Sequence, residues 1–151
     1  MAKIIYNDII PFQGFKAMTI WPWVFVRNEC KGKFTPIDAN HEGIHILQQG
    51  EMYIVGIVLA IILFLCGCSW WSLFALPIFF IWYGLEYLVR WIGYGFDGHL
   101  AYKNISFEQE AYLNEKDFDY QRVRNHFHWV SYLFKKSFVR NKNSHQIVKK
   151  E

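Results

Sequence analysis

The sequence has few charges, and its middle has none of the basic kind. Charged residues are 19% of the 151 residues, below the quarter that is usual for a soluble domain. No Lys or Arg lies between His41 and Val89, although the chain contains 16 of them. The three cysteines, Cys30, Cys66 and Cys68, lack the spacing of a disulfide framework, so we expect reduced thiols. With a hydrophobic content of 53%, these shortages exclude an intrinsically disordered chain and a disulfide-stabilised miniprotein.

The segment without basic residues holds two uncharged apolar runs, 53–68 and 70–85. A helix needs about 20 mostly apolar residues to cross the hydrocarbon core, and the runs approach that length when extended to 51–67 and 70–91. A short turn around Cys68 joins them. This pattern predicts a two-helix transmembrane hairpin. The alternative is a buried helical hairpin in a soluble protein, but a chain of this size has little other protein to cover it.

Basic residues flank the apolar block and avoid its turn. Arg27, Lys31 and Lys33 precede the block, and Arg90 and Lys103 follow it. Because loops rich in Lys and Arg stay in the cytoplasm, we expect a multi-pass protein of the bacterial inner membrane with both termini cytoplasmic. The last 32 residues contain eight Lys or Arg and one acid. Beside a membrane hairpin, a solvated face or contact of this tail with anionic lipid headgroups is favoured over a nucleic-acid role.

Outside the block, the pattern predicts a mainly α-helical single domain with a small N-terminal β element. The first 34 residues favour short strands, with Pro22 at an edge or a bend. Thr35 is a helix cap followed by a proline, and Ser106 opens a capping-box pattern. A last helix is expected near 123–139. The predicted segments of the domain 1–151 are a β-rich segment at 1–34, the motif helix at 35–50, the hairpin at 51–91, helices with a third ligand at 105–140, and a fraying basic tail at 141–151.

The sequence HEGIH at 41–45 is an HExxH motif. On a helix, positions i and i+4 lie above one another, so the imidazoles of His41 and His45 can reach one metal ion. Glu42 borders the same face and is the candidate base that accepts a proton from a metal-bound water. Gln49 falls near His45 around the helix, and we expect its amide to support that ligand. The motif therefore predicts a zinc site.

A hydrolytic zinc site needs a third protein ligand. The downstream candidates are His99, Glu108, Glu110, His126 and His128. Glu108 and Glu110 are two positions apart, so on a helix they face nearly opposite ways and cannot both bind the ion. Glu108 shares a face with Tyr112, whereas Glu110 is expected to point to solvent or to a lysine. His99, after a glycine-rich segment, is the main rival, and the two histidines that flank Phe127 are interpreted as interfacial or structural.

The order of these features resembles a known class of enzyme. The HExxH motif at 41–45, the apolar hairpin after it and the sequence EQEAY at 108–112 are similar to the gluzincin metalloproteases. They are most similar to the membrane zinc proteases of the HtpX and CAAX prenyl protease type. The run HILQQ at 45–49 also resembles a compact metalloprotease-like domain of bacterial injection-system toxins. The chain as a whole looks like small membrane proteins of Bacteroidetes-type bacteria.

This resemblance implies a site and a role for each residue in it. It implies that Zn²⁺ is held by His41, His45 and Glu108. Glu42 matches the general base of those families. Tyr112 stands where they have an aspartate, and its implied role is to orient Glu108 or to steady the oxyanion. The N-terminal strands would then provide the edge along which a peptide substrate pairs.

Three functions are compatible with the pattern. The leading one is a membrane-bound zinc metallopeptidase that hydrolyses a peptide or membrane-protein substrate with a zinc-activated water. The second is a non-catalytic integral membrane protein with a structural or vestigial metal site, which the short chain favours because little of it is left for a cleft. The third is a membrane adaptor whose basic tail recruits a partner. Metal content separates the third from the others, and replacement of Glu42 separates the first two.

Overall fold

The computed structural model describes residues 3–141 and 146–150 and is mainly helical with a small N-terminal sheet, as the sequence predicts. The strands are Lys3–Asn7 (β1), Ala17–Ile20 (β2), Trp23–Arg27 (β3), Phe138–Arg140 (β4) and Ile147–Lys149 (β5). The helices are Pro36–Leu63 (α1), Ile78–Gly93 (α2), Gly98–Lys103 (α3), Ser106–Asn114 (α4) and Tyr120–Val123 (α5). The apolar core lies where α1, α2 and α4 meet, and it consists of Met52, Phe79, Ile105, Phe107 and Trp129.

The N-terminal sheet has the strand order β1-β3-β2, with β1 parallel and β2 antiparallel to the central β3. Val24 and Val26 on β3 are buried, which is the alternation expected of a strand with one packed face. Pro22 lies in the turn between β2 and β3, so the expected bend at this proline is confirmed. The edge strand β2 packs against α1 and so lies beside the HExxH motif.

Helix α1 begins where the sequence predicts. The Thr35 hydroxyl accepts a hydrogen bond from the Asp38 backbone N–H (3.2 Å), and the Asp38 carboxylate accepts one from the Thr35 backbone N–H (2.6 Å). In the described ranges, one helical stretch, Pro36–Ala75, is long and apolar enough to cross a membrane by length and composition, although its backbone leaves helical geometry at Gly67. Only 11% of its most apolar window is buried, which argues against the core helix of a soluble protein.

The chain reverses direction between α1 and α2. Gly67 has a φ of 89°, a left-handed conformation that glycine adopts readily. The predicted helix over 70–91 is shorter than expected, because Ser69–Ala75 forms a 3₁₀ helix and Pro77 has no N–H with which to continue it. The returning chain packs closely on α1 at Gly56, where an added Cβ would lie 2.6 Å from the Ala75 carbonyl oxygen. A side chain at Gly56 would therefore push the two segments apart.

Helix α4 begins at Ser106, as predicted, but its cap comes from another helix. The Glu86 carboxylate on α2 accepts hydrogen bonds from the backbone N–H (2.8 Å) and the hydroxyl (2.6 Å) of Ser106. Arg90, one turn further along α2, pairs with the same carboxylate at 2.7 Å. A negative charge at the amino end of a helix also interacts favourably with the helix dipole. Helix α2 thus fixes the start of the helix that carries Glu108 and Glu110.

The predicted last helix over 123–139 is wrong. Helix α5 has only one turn, a 3₁₀ helix follows at His128–Tyr132, and β4 and β5 pair antiparallel. The physical reason is Arg124, whose side chain is drawn into two buried carboxylates and whose backbone is extended. The tail that was expected to fray contains β5 in its described part. Residues 142–145 and 151 of that tail lie outside the described residues.

Candidate metal centre

The two histidines of the HExxH motif and Glu108 come together between α1 and α4. The Nε2 atoms of His41 and His45 are 3.2 Å apart. One oxygen of the Glu108 carboxylate lies 3.3 Å from His45 Nε2, and the other lies 3.6 Å from His41 Nε2. All three side chains are buried. As predicted, they form a cluster that could hold a metal ion.

The separations within this cluster are compatible with ligand atoms around one metal ion. With metal–ligand bonds of about 2.0–2.2 Å, neighbouring ligand atoms of a tetrahedron are about 3.3–3.6 Å apart. The two Nε2 atoms, 3.2 Å apart, lie close to this separation. Glu108 contacts the two imidazoles through different oxygens, at 3.3 Å and 3.6 Å, so these two distances do not share one ligand atom. Two imidazoles and one carboxylate are also a donor set of catalytic zinc sites, and they leave the fourth position to another ligand. The donor set is therefore one that zinc uses.

In each histidine, the ring nitrogen that faces away from the cluster, Nδ1, has a hydrogen-bond partner. His41 Nδ1 lies 2.9 Å from the Glu115 carboxylate, and His45 Nδ1 lies 2.7 Å from the Gln48 amide oxygen. An acceptor at Nδ1 places the proton there and leaves Nε2 free to bind a metal. Gln49, the predicted partner of His45, instead bonds the edge strand β2. The helix places Gln48, three positions after His45, over the imidazole ring.

The Glu108 carboxylate has one satisfied and one unsatisfied oxygen. The Tyr83 hydroxyl donates a hydrogen bond to Oε1 (3.0 Å), whereas Oε2 is buried without a hydrogen-bond partner in the described chain. A buried oxygen of this kind is costly, and a metal ion would satisfy it. Burial alone would raise the pKa of Glu108, but the His45 and His41 imidazoles outweigh this effect and hold the pKa well below its usual range. Glu108 is therefore ionised, the form that binds metals.

The carboxylates have the opposite effect on the imidazoles. Burial alone would lower the pKa of His41, but Glu108 and Glu115 outweigh it and raise the pKa to about 10. Burial likewise lowers the pKa of His45, and Glu108 more than reverses this, so the net direction is upward. Protons and a metal ion therefore compete for the same nitrogen atoms, and metal binding releases protons.

Glu110 is buried, contrary to the prediction that it points to solvent or a lysine. The Arg124 guanidinium bonds both oxygens of Glu110 and also pairs with Glu51 on α1. The Gln48 amide nitrogen donates to Glu110 at 2.9 Å while its oxygen faces His45. Glu110 is therefore not a ligand of the cluster, and it holds the amide that orients His45.

The remaining candidate ligands lie apart from the cluster. His99 is exposed on α3 and lines a separate cavity. His126 lies 3.3 Å from the Glu51 carboxylate with its side chain in solvent. His128 shares a hydrogen bond with the Tyr120 hydroxyl at 2.6 Å. Within the described ranges, none of these three histidines joins His41 and His45.

Glu42 lies at the junction of α1 and the edge strand β2. The Thr19 hydroxyl donates a hydrogen bond of 2.6 Å to Glu42 Oε2. Beside it, the Gln49 amide donates to the Thr19 carbonyl oxygen (2.8 Å) and accepts from the Trp21 backbone N–H (2.9 Å). These contacts fix the strand edge next to the motif and orient the Glu42 carboxylate.

Three tyrosines from three helices surround the cluster. Tyr112 packs edge-on against His41 with ring centroids 4.6 Å apart, and its ring also neighbours that of Tyr102 at 6.4 Å. Tyr83, from α2, bonds Glu108. Burial and the Glu108 carboxylate raise the pKa of the Tyr102 and Tyr112 hydroxyls, so both stay protonated and can donate hydrogen bonds.

Three residues that hold the cluster in place, Gln48, Glu115 and Tyr83, were not among the predicted site residues. Helix periodicity could have identified two of them, because Gln48 lies three positions after His45 and Glu115 lies seven positions after Glu108, each on the same helix face. No sequence pattern indicates Tyr83, because its contact depends on how α2 packs.

No protein-family model, curated protein or solved structure matches this chain.

Proposed function

We propose that this protein is a membrane-bound zinc metallopeptidase of the gluzincin type. The observation that carries the proposal is the convergence of His41 Nε2, His45 Nε2 and the Glu108 carboxylate, whose ligand atoms lie within 4.8 Å of one another. The acceptors at both Nδ1 atoms support it, because they aim the imidazoles at one point. The substrate class is a peptide or a membrane protein.

The proposed mechanism assigns each step to a residue of this chain. A bound zinc ion lowers the pKa of a coordinated water to about 7. Glu42 accepts the proton of the attacking water and then delivers it to the leaving amine. The Thr19 hydroxyl restrains Glu42 Oε2 and leaves Oε1 for the proton transfer. Tyr112, which stays protonated, donates a hydrogen bond to the oxyanion.

The proposed membrane anchor is a hairpin of the apolar half of α1 and the returning chain up to Gly93. Large apolar side chains are exposed on both, including Ile61 and Leu65 on the outgoing side and Leu85 and Val89 on the returning side. Apolar surface of this extent needs lipid or a partner to cover it. Because basic residues flank the hairpin, both termini would lie in the cytoplasm and the turn in the periplasm of a bacterial inner membrane.

Labelling of single cysteines tests this topology. Cys66 in the turn is free and exposed. In a chain with Cys30→Ser and Cys68→Ser, Cys66 should react with a membrane-impermeant maleimide added to spheroplasts. A Lys149→Cys change in a chain without the native cysteines should react only after lysis. Labelling of both positions from the same side would contradict the hairpin, and the reverse pattern would contradict its orientation.

Metal content tests the site. The purified protein should contain one zinc ion per chain, and His45→Ala should reduce the content to near zero because two ligands hold zinc poorly. His99→Ala is the matched control, since His99 is exposed and outside the cluster. Elemental analysis by mass spectrometry measures the stoichiometry. Equal zinc in the wild type and the His45→Ala variant would contradict the assigned ligands.

A non-catalytic metal site is the second candidate function. Its support is the burial of all three ligands, because structural zinc sites are closed and catalytic sites keep an open position. It shares the prediction for zinc content but predicts no turnover. An adaptor role of the basic tail needs no metal at all, so zinc content separates it from both.

A further inference from the structure

One end of the N-terminal sheet faces the apolar half of α1. Strand β2 runs in the same direction as α1, because Lys16, just before the strand, pairs with Asp38 in the first turn of the helix. The backbone N–H of Trp21, just after the strand, bonds the Gln49 amide further along the helix. The turn between β2 and β3, which begins at Trp21, therefore lies at the end of the sheet nearest to the apolar run 53–68.

Exposed aromatic side chains lie at this end of the sheet. Trp21 is 45% exposed and Trp23 is 42% exposed, and Pro22 between them is exposed as well. The Trp21 ring stacks on the ring of Tyr53, which is 40% exposed, with the centroids 5.4 Å apart. Tyr53 is the first residue of the apolar run. The aromatic patch of Trp21, Trp23 and Tyr53 therefore lies at the height where α1 becomes apolar.

The aromatic patch combines apolar rings with unpaired donors. In residues 3–141 and 146–150, neither indole N–H nor the Tyr53 hydroxyl has a hydrogen-bond partner within the protein. Lys3 lies beside Trp23 in the register of the sheet and gives the same end a positive charge. Tryptophan and tyrosine are enriched at membrane–water interfaces, because their rings enter the apolar layer while their polar atoms stay at the headgroups. Lysine favours the anionic headgroups of the cytoplasmic leaflet.

We propose that the aromatic patch binds the headgroup layer of the lipid bilayer and holds the N-terminal sheet on the cytoplasmic surface of the membrane. The proposal rests on the membrane hairpin of the proposed function and adds a contact through the sheet. A bilayer is favoured over a second copy of the chain because the patch is continuous with the exposed apolar side of α1. That side begins at Ile54, which is next to Tyr53 and 65% exposed.

This contact fixes the strand that lies beside the HExxH motif. The Gln49 amide bonds the backbone of β2 at Thr19 and at Trp21, and the Thr19 hydroxyl bonds Glu42. With Trp21 in the headgroup layer, Glu42 and its strand keep one orientation relative to the membrane. The bilayer therefore orients the motif through β2 as well as through α1.

Quenching by spin-labelled lipids tests the depth of this end of the sheet. An NBD fluorophore is attached at Lys3→Cys, Ile61→Cys or Lys33→Cys in the full chain without its native cysteines, in vesicles of phosphatidylcholine and phosphatidylglycerol. A nitroxide in the lipid headgroup should quench position 3. Because the label replaces Lys3, the contact that it reports comes from the aromatic patch. A nitroxide deep in the acyl chain should quench position 61, in the apolar half of α1. Lys33, exposed just before α1 begins, is the control, and neither nitroxide should quench it.

Removal of the two indoles tests the cause of this placement. Trp21→Ser combined with Trp23→Ser should abolish the quenching of position 3 by the headgroup nitroxide and leave position 61 quenched. Trp71→Ser, at a 75% exposed tryptophan near the hairpin turn, is the matched control and should change neither signal. Persistent quenching of position 3 without the two indoles would overturn the role of the patch.

The two reporters separate this proposal from the function on which it rests. Quenching at position 61 without quenching at position 3 would overturn the patch and leave the membrane hairpin standing. An absence of quenching at both positions would overturn the hairpin as well. Cross-linking of two chains through Lys3→Cys, with no quenching there, would assign the patch to a second copy of the chain and overturn the proposal.

Discussion

Replacement of Glu42 by glutamine should leave the zinc content unchanged and lower the rate of peptide hydrolysis by about 10²–10⁴-fold. The amide is nearly isosteric with the carboxylate and does not touch the three ligands, so metal binding should persist. It cannot accept the proton of the attacking water, so the nucleophile forms inefficiently. The Thr19 hydroxyl can still donate to the amide oxygen, which preserves the strand contact. Zinc content and the rate of cleavage of an unfolded peptide are measured on the same preparation.

Glu29→Gln is the matched control for this change. It makes the same chemical substitution at an exposed carboxylate that pairs with Arg27, away from the cluster. We expect it to keep both zinc and activity. Glu42→Gln protein with full activity would exclude Glu42 as the base. Zinc-bound wild type that cleaves no peptide would leave the non-catalytic metal site as the function.

Replacement of Arg124 by methionine should lower the free energy of unfolding by about 3–5 kcal/mol. The Arg124 side chain is 2% exposed and pairs with two carboxylates, those of Glu51 and Glu110. Its removal leaves both acids buried without their cation, and a broken buried ion pair costs more than the pair itself contributes. Denaturant unfolding in detergent, followed by circular dichroism, measures the change.

Arg122→Met provides the comparison for Arg124. Arg122 is 79% exposed and pairs with Asp119 at the surface, so we expect a change within about 0.5 kcal/mol. Arg124→Met should also weaken zinc binding, because Glu110 holds the Gln48 amide that orients His45. Equal stabilities of the two variants would show that the buried carboxylates are neutralised in some other way.

The two candidate metal ligands on α1 could be predicted because their signal is local. His41 and His45 are one helical turn apart, and a cap at Thr35 sets the start of their helix. The choice of Glu108 over Glu110 depends only on which side of α4 faces α1. Helix periodicity therefore separates the two acids from each other, although it does not say which side is buried. The resemblance to gluzincins supplied that choice, and the structure places Glu108 in the cluster.

The wrong predictions concern contacts between distant segments. Glu110 was expected to face solvent or a lysine because it lies on the side of α4 opposite Glu108, and the local pattern does not show that Arg124 neutralises it there. The backbone of Arg124 is extended and ends α5, within the segment that was predicted as regular helix. Gln49 was wrongly assigned to His45 because its position on the helix does not reveal that β2 packs beside it. The Gln49 amide instead forms hydrogen bonds with the backbone at Thr19 and Trp21. Such contacts follow from tertiary packing, which local patterns do not encode.

In the proposed membrane hairpin, Glu86 and Tyr83 would couple the candidate metal cluster to the thickness of the bilayer. Both lie on α2, where Glu86 caps the helix that carries Glu108 and Tyr83 bonds the Glu108 carboxylate. An apolar helix that is too long or too short for its bilayer responds by tilting, at a cost of fractions of a kcal/mol per ångström of mismatch. Since a tilt of α2 displaces both contacts, zinc affinity should vary with the acyl-chain length of the surrounding lipid. Nanodiscs of thin and thick bilayers would reveal this dependence, and identical affinities in both would show that the hairpin and the ligand helix move independently.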